Sequence, residues 1–145
     1  MKVMVMVKTS GADEATAVAT TELFAAMADY NERLVKAGIM LDGAGLRPTS
    51  YGTQIVFQGG TTSVVDGPFT ESKEIIGGYW IWQVSSMEEA VEWAKQCPSD
   101  PQGAPSLLEI RPYAEEEDFG DAYTDEQRER EAKLAEQLRA QRGEA

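Results

Sequence analysis

Val3, Val5 and Val7 share one parity between Lys2 and Lys8, and Met4 and Met6 hold the other. Both faces of the strand this predicts are apolar, so both need cover. From about Asp13 to Lys36 the period changes. Leu23, Met27, Tyr30 and Leu34 recur at spacings of three and four with Phe24 alongside, and Gly38 suits a C-terminal cap. Ile39–Leu41 reads as a short strand entering the loop "DGAGLRPTS". Gln54–Gln58 and Thr62–Val65 form a hairpin pattern around Gly59-Gly60. In "VDGPFTESKE", Thr70 can cap one helical turn from Glu71 to Ile75, ended by Gly77-Gly78. The segment Gly78–Val84 then sets Tyr79 and Ile81 against Trp80, Trp82 and Val84, a second strand apolar on both faces. Ser85/Ser86 followed by Glu88/Glu89 marks a capping box, and Met87, Ala90, Val91 and Ala94 form the stripe of a helix that Pro98 stops. Leu107–Tyr113 is the last strand of the series.

Strand, helix, strands, helix, strand is an α+β pattern, the split-βαβ or ferredoxin-like protomer with an antiparallel sheet. Its helices cover one sheet face only. The doubly apolar strands then require something on the other face, and a second copy of the same sheet is the economical cover, making a homodimer. The series closes at about residue 114. Residues 115–145 are an acidic extension, helical from about Thr124, with a thin stripe of Ala132, Leu134, Ala135 and Leu138 and with Glu126–Arg130 and Glu129–Lys133 in ion-pair spacing. This helix either lies across the dimer or projects as a solvated appendage, with Phe119 and Tyr123 as its anchors.

Charge narrows the partners. The 145 residues carry a net −12. Residues 115–145 hold 11 acids and 5 bases, a net −6, and the first 114 hold 14 and 8, also −6. Such a surface repels phosphate backbones and anionic membranes, so no nucleic acid and no membrane is expected. No run approaches the roughly 18 apolar residues of a bilayer span, and "MKVMVMVK" is too short for a secretory signal. Cys97 is the only cysteine, which rules out an intrachain disulfide and suits a cytoplasmic location.

No histidine occurs anywhere in the chain. That removes Ser-His-Asp and Cys-His catalysis, His-ligated metals and the ordinary neutral-pH proton shuttle. With one cysteine and no ligand-spaced carboxylate cluster, neither a metal nor a cofactor is expected.

The remaining candidates are few. Asp66-Gly67-Pro68-Phe69 reads as a turn with an aromatic plug, in which every residue has a local role. It also reads as the roof of a cavity, with Asp66 as a carboxylate base and Lys73 holding a ligand anion. Glu109 and Arg111 lie two apart on the last strand and so share a face. With Trp80 and Trp82, or with Tyr79, they would line an aromatic pocket at the dimer interior, or form a structural ion pair there. Asp42 and Arg47 are better explained by turn chemistry.

The segments "GAGLRPT", "VVDGPFTESKEIIGGYWIWQVSSMEEAVEWAKQCP" and "LEIRPYAEEEDF" resemble the YCII-related family, in its DGPF-type branch, over roughly residues 1–120. The resemblance implies a dimeric α+β barrel. In some relatives it implies a His–Asp pair working on small ring compounds, dehydrochlorination included. Asp66 carries over as part of the DGPF motif; its histidine partner has no counterpart here. Two functional readings follow. One is a small-molecule-binding protein, lyase- or isomerase-like if it is catalytic, with its pocket at the dimer interior. The other is a non-catalytic interaction or regulatory module that uses the acidic tail. For that second reading, the association of DGPF-type proteins with alternative sigma factors supplies an analogy.

Overall fold

The computed structural model describes residues 1–10, 13, 19–69, 74–99 and 106–144. Two compact units divide the chain, Met1–Tyr113 and Ala114–Ala145. In the first, β1 (Lys2–Thr9) leads to α1 (Thr21–Lys36) and β2 (Met40–Gly45). A hairpin of β3 (Thr53–Gln58) and β4 (Thr61–Asp66) follows, then β5 (Ile75–Gln83), α2 (Met87–Ala94) and β6 (Leu107–Pro112).

The strand order is β2-β5-β1-β6, with every neighbouring pair antiparallel. β5 therefore lies between β1 and β2, and β1 lies between β5 and β6, so each βαβ unit is split by a strand of the other. This is the ferredoxin-like α+β arrangement the hydrophobic periods predict.

Local chemistry sets the helix ends. Thr20 Oγ1 accepts from the Leu23 backbone N–H at 3.1 Å, so α1 starts at Thr21; Asp13, where the period predicts the start, is itself helical, and residues 14–18 lie outside the described residues. At the other end Gly38 adopts φ +73°, while Ile39 N donates to Leu34 O and Gly38 N to Val35 O. That pair of bonds is a Schellman closure, which a side chain at position 38 would strain. Ser86 caps α2 through Glu89 N, and Glu89 reaches back to Ser85.

One core lies between the helices and the sheet. Tyr30 and Leu34 of α1 and Ala90 of α2 pack on Val3, Val5, Trp80 and Trp82. Tyr30 meets Trp80 edge to face, with ring centroids 5.9 Å apart. Burying each large apolar side chain contributes about 1.5–3 kcal/mol, so this cluster is the main stabilising mass of the unit.

Three expectations shift. "DGAG" is not loop: Gly43, Ala44 and Gly45 belong to β2 and pair with Trp80, Tyr79 and Gly78. Ile75 opens β5 opposite Thr9 instead of closing a helical turn; residues 70–73 lie outside the described residues. Gly77 and Gly78 sit inside β5 rather than ending that turn. Gly77 is the extra residue where the register slips between Val7 and Lys8. Long-range pairing has overridden the local turn signal at each of these glycines.

The β3–β4 hairpin turns at Gly59 and Gly60, both at positive φ, as a two-residue primed turn requires. Its base is fastened to the 3-10 turn Thr49–Tyr51. Gly67 N donates to Gly52 O at 2.9 Å and Phe69 N to Thr49 Oγ1 at 3.3 Å, with a cis Gly67–Pro68 bond between them. A Cβ at Gly67 would overlap the Thr49 carbonyl, so no side chain fits there.

The second unit holds a short 3-10 turn, Glu116–Phe119, and α3 (Asp125–Gln141). Within it Phe119 and Tyr123 stack at 5.1 Å, and Arg128 bonds both Glu116 and Asp125. No residue of α3 is buried, so its thin apolar stripe stays in solvent.

Candidate functional site

β2 and β5 are the two strands richest in glycine, and pairing brings their bare positions together. Gly43 lies opposite Trp80, and Gly45 lies opposite Gly78. Above them α1 presents Met27 and Asn31, one helical turn apart. The space between is a cleft of about 470 Å³, bounded by Val7, Met27, Asn31, Met40, the glycines of both strands and Trp80. A side chain on either of two of these glycines would collide. A Cβ at Gly43 would stand 2.9 Å from Trp80 Cδ1, and one at Gly78 would stand 3.1 Å from Ala44 O. At Gly45 a Cβ would meet nothing within 4 Å.

One polar pair is held in this otherwise apolar cleft. Trp80 Nε1 donates to Asn31 Oδ1 at 2.9 Å. An indole N–H can only donate, so the Asn31 amide is oriented by that bond. Among the described lining residues there is no carboxylate, ammonium or guanidinium.

The opposite sheet face has different chemistry. Met4, Met6, Tyr79 and Ile81 share it by strand alternation, together with Glu109 and Arg111 of β6. Lys8 Nζ bridges Glu109 at 3.1 Å and Glu74 at 3.3 Å. Its hydrogen bond to Glu109, with Glu74 adding to it, holds the ammonium above the usual lysine range. Glu109 and Arg111 thus share a face as their spacing predicts, and Glu109 forms an ion pair with Lys8.

The other sequence-predicted residues scatter. Trp80 lines the cleft, whereas Tyr79 supplies only backbone there because its ring points to the far face. Trp82 is fully buried in the core. Asp66 ends β4 and is exposed; its Oδ1 accepts from Thr53 Oγ1 at 3.3 Å. Lys73 lies outside the described residues. Asp42 accepts from Gly43 N, while Arg47 stacks over Tyr51, so those two charges serve separate local contacts. Burial raises the Cys97 thiol, which keeps it protonated and unreactive near neutral pH.

The sequence places Met27 in a helix stripe and Gly77-Gly78 at a turn end, but marks none of Met27, Asn31, Met40 or the four glycines as a site residue. Their signal was two glycine pairs, "GAG" and "GG", each flanked by strand-forming residues. Among the described residues no group of three or more His, Cys, Asp or Glu could hold a metal ion, and no helix is long and apolar enough to cross a membrane.

An uncharacterised protein of Rhizobium meliloti (strain 1021) is 33% identical over 82 residues, 57% of this chain. The aligned stretch spans 65% of that relative's length. The family model of the YCII-related domain matches residues 1–116, and the chain belongs to that family.

Proposed function

We propose that this protein binds a small organic molecule in the cleft between α1 and the β2–β5–β1 part of the sheet. The observation that carries this reading is the cleft itself. Its 470 Å³ lies within the usual ligand-pocket range of about 300–1,000 Å³, and its apolar walls surround one oriented amide. The reading favours binding over catalysis, since no ionised group is among the described lining residues to move a proton. Lyase- or isomerase-like chemistry would have to draw on groups outside it, with Asp66 and Lys73 the candidates from the DGPF segment.

The far sheet face supports a homodimer. Met4, Met6, Tyr79 and Ile81 lie on the face opposite the one on which Tyr30, Leu34 and Ala90 pack, and a second sheet placed there would complete an α+β barrel. The pocket expected at that interior would be a separate site, carrying Glu109 and Arg111. The two locations are distinguishable by mutation.

A thermal-shift screen of small aromatic and aliphatic compounds, run on the full chain and on Gly45→Leu, tests the proposal. The substituted side chain starts in open space and fills the cleft. Hits should be lost in Gly45→Leu and kept in Arg111→Ala. Hits that survive Gly45→Leu unchanged would place the ligand elsewhere.

A further inference from the structure

The cleft also restricts what it can accept, an inference that rests on the binding reading above. Its open floor is backbone at Gly45, Gly77 and Gly78, which present peptide planes instead of side chains, while the Trp80 and Met40 side chains cover Gly43. A flat ring can approach peptide planes closely, where a Cβ at any of these positions would hold it away. Met27 and Met40 supply thioethers, which contact ring edges favourably. Among the described lining residues, Asn31 supplies the directional side-chain group with a free donor. Because Trp80 Nε1 must be met by an acceptor, Oδ1 is committed to it and Nδ2 is the remaining donor. Among the described residues Nδ2 makes no hydrogen bond.

Charge decides the rest. A carboxylate entering the cleft would give up hydration with no lysine or arginine among the described lining residues to compensate, inside a chain of net −12. A neutral carbonyl accepts from an amide donor without that penalty. We propose that the cleft selects a flat, uncharged molecule bearing a carbonyl or carboxamide on an aromatic ring. The ring rests on the glycine floor and the carbonyl oxygen accepts from Asn31 Nδ2.

Matched probes test this. The full-length protein is titrated at pH 7 with 2-naphthamide and with 2-naphthoate, following tryptophan fluorescence and calorimetric heat. The amide should bind at least about tenfold more tightly than the acid, the ratio that one uncompensated polar burial gives. Asn31→Asp keeps an acceptor for Trp80 but removes the Nδ2 donor, and should weaken the amide by about tenfold while leaving the fold intact. Equal or tighter binding of 2-naphthoate, abolished by Gly45→Leu, would overturn the selectivity while leaving the cleft as the binding site. Unchanged amide affinity in Asn31→Asp would overturn the role of Nδ2. If neither probe binds, or if both bind Gly45→Leu as they bind the wild type, the cleft reading falls as well.

Discussion

The Tyr30 hydroxyl donates to the Trp93 carbonyl at 2.6 Å, tying α1 to the last turn of α2 directly over the Trp80 ring. Arg33 repeats the tie one turn later, through Gln96 at 2.7 Å. The two helices are thereby held as one layer above the sheet, and the position of α1 sets the roof of the cleft. Removing the hydroxyl in Tyr30→Phe should cost about 1 kcal/mol, since the ring stays packed and one buried hydrogen bond is lost. Tyr30→Ala should cost about 3–5 kcal/mol, the range for emptying an aromatic site in a core. Urea unfolding followed by circular dichroism measures both; equal losses would mean the ring contributes nothing beyond its hydroxyl.

Two glycines should respond in opposite ways to the same substitution. Gly67→Ala forces a Cβ into the Thr49 carbonyl and should destabilise by about 1–3 kcal/mol as the hairpin base shifts. Gly45→Ala meets open space and should stay within about 1 kcal/mol of the wild type, on the stabilising side if anything. Denaturation midpoints of the two variants, compared side by side, decide whether the DGPF segment is anchored on the 49–52 turn.

Alkaline pH should reveal the Lys8 bridge. Its ammonium sits above the usual range because of Glu109 first and Glu74 second, so the folded state holds this proton more tightly than the unfolded one. The bridge's contribution is therefore complete below the unfolded lysine value of about 10.4 and is lost as pH rises through the higher folded value. Stability curves for wild type and Glu109→Gln should run parallel up to about pH 10 and converge above it. A constant gap across that range would show that Lys8 is not the group responsible.

Cys97 should behave as a packed thiol. Burial raises its pKa, so native protein should react slowly with iodoacetamide at pH 8 and quickly once unfolded in urea. Rapid native alkylation, followed by mass spectrometry, would show the helix end to be open.

Asp66→Asn and Glu109→Gln should leave 2-naphthamide affinity within about twofold, since neither side chain lines the cleft. A larger loss in either would return weight to the DGPF loop or to the far face of the sheet as the ligand site.

Much of this architecture could be read along the chain. The period-two stretches around Val5 and Trp80, the Leu23–Met27–Tyr30–Leu34 stripe, the Ser86 cap and the Gly59-Gly60 turn each encode their element within a few residues. The lack of histidine by itself excludes whole classes of chemistry. Signals of this kind are local, because caps, turns and pleats are satisfied by near neighbours.

The cleft was different. "DGAG" carries a turn composition, yet it extends as β2 because β5 offers it a ladder of hydrogen bonds, and a paired backbone outweighs a weak local preference. Cross-strand register then sets Gly45 beside Gly78 and Gly43 beside Trp80, and α1 suspends Asn31 above them. The amino-acid sequence by itself determined the elements, their order, the family's sheet and the acidic surface. Only the tertiary structure decided which bare positions became neighbours, since a cavity is made by residues distant along the chain whose missing side chains happen to face the same space.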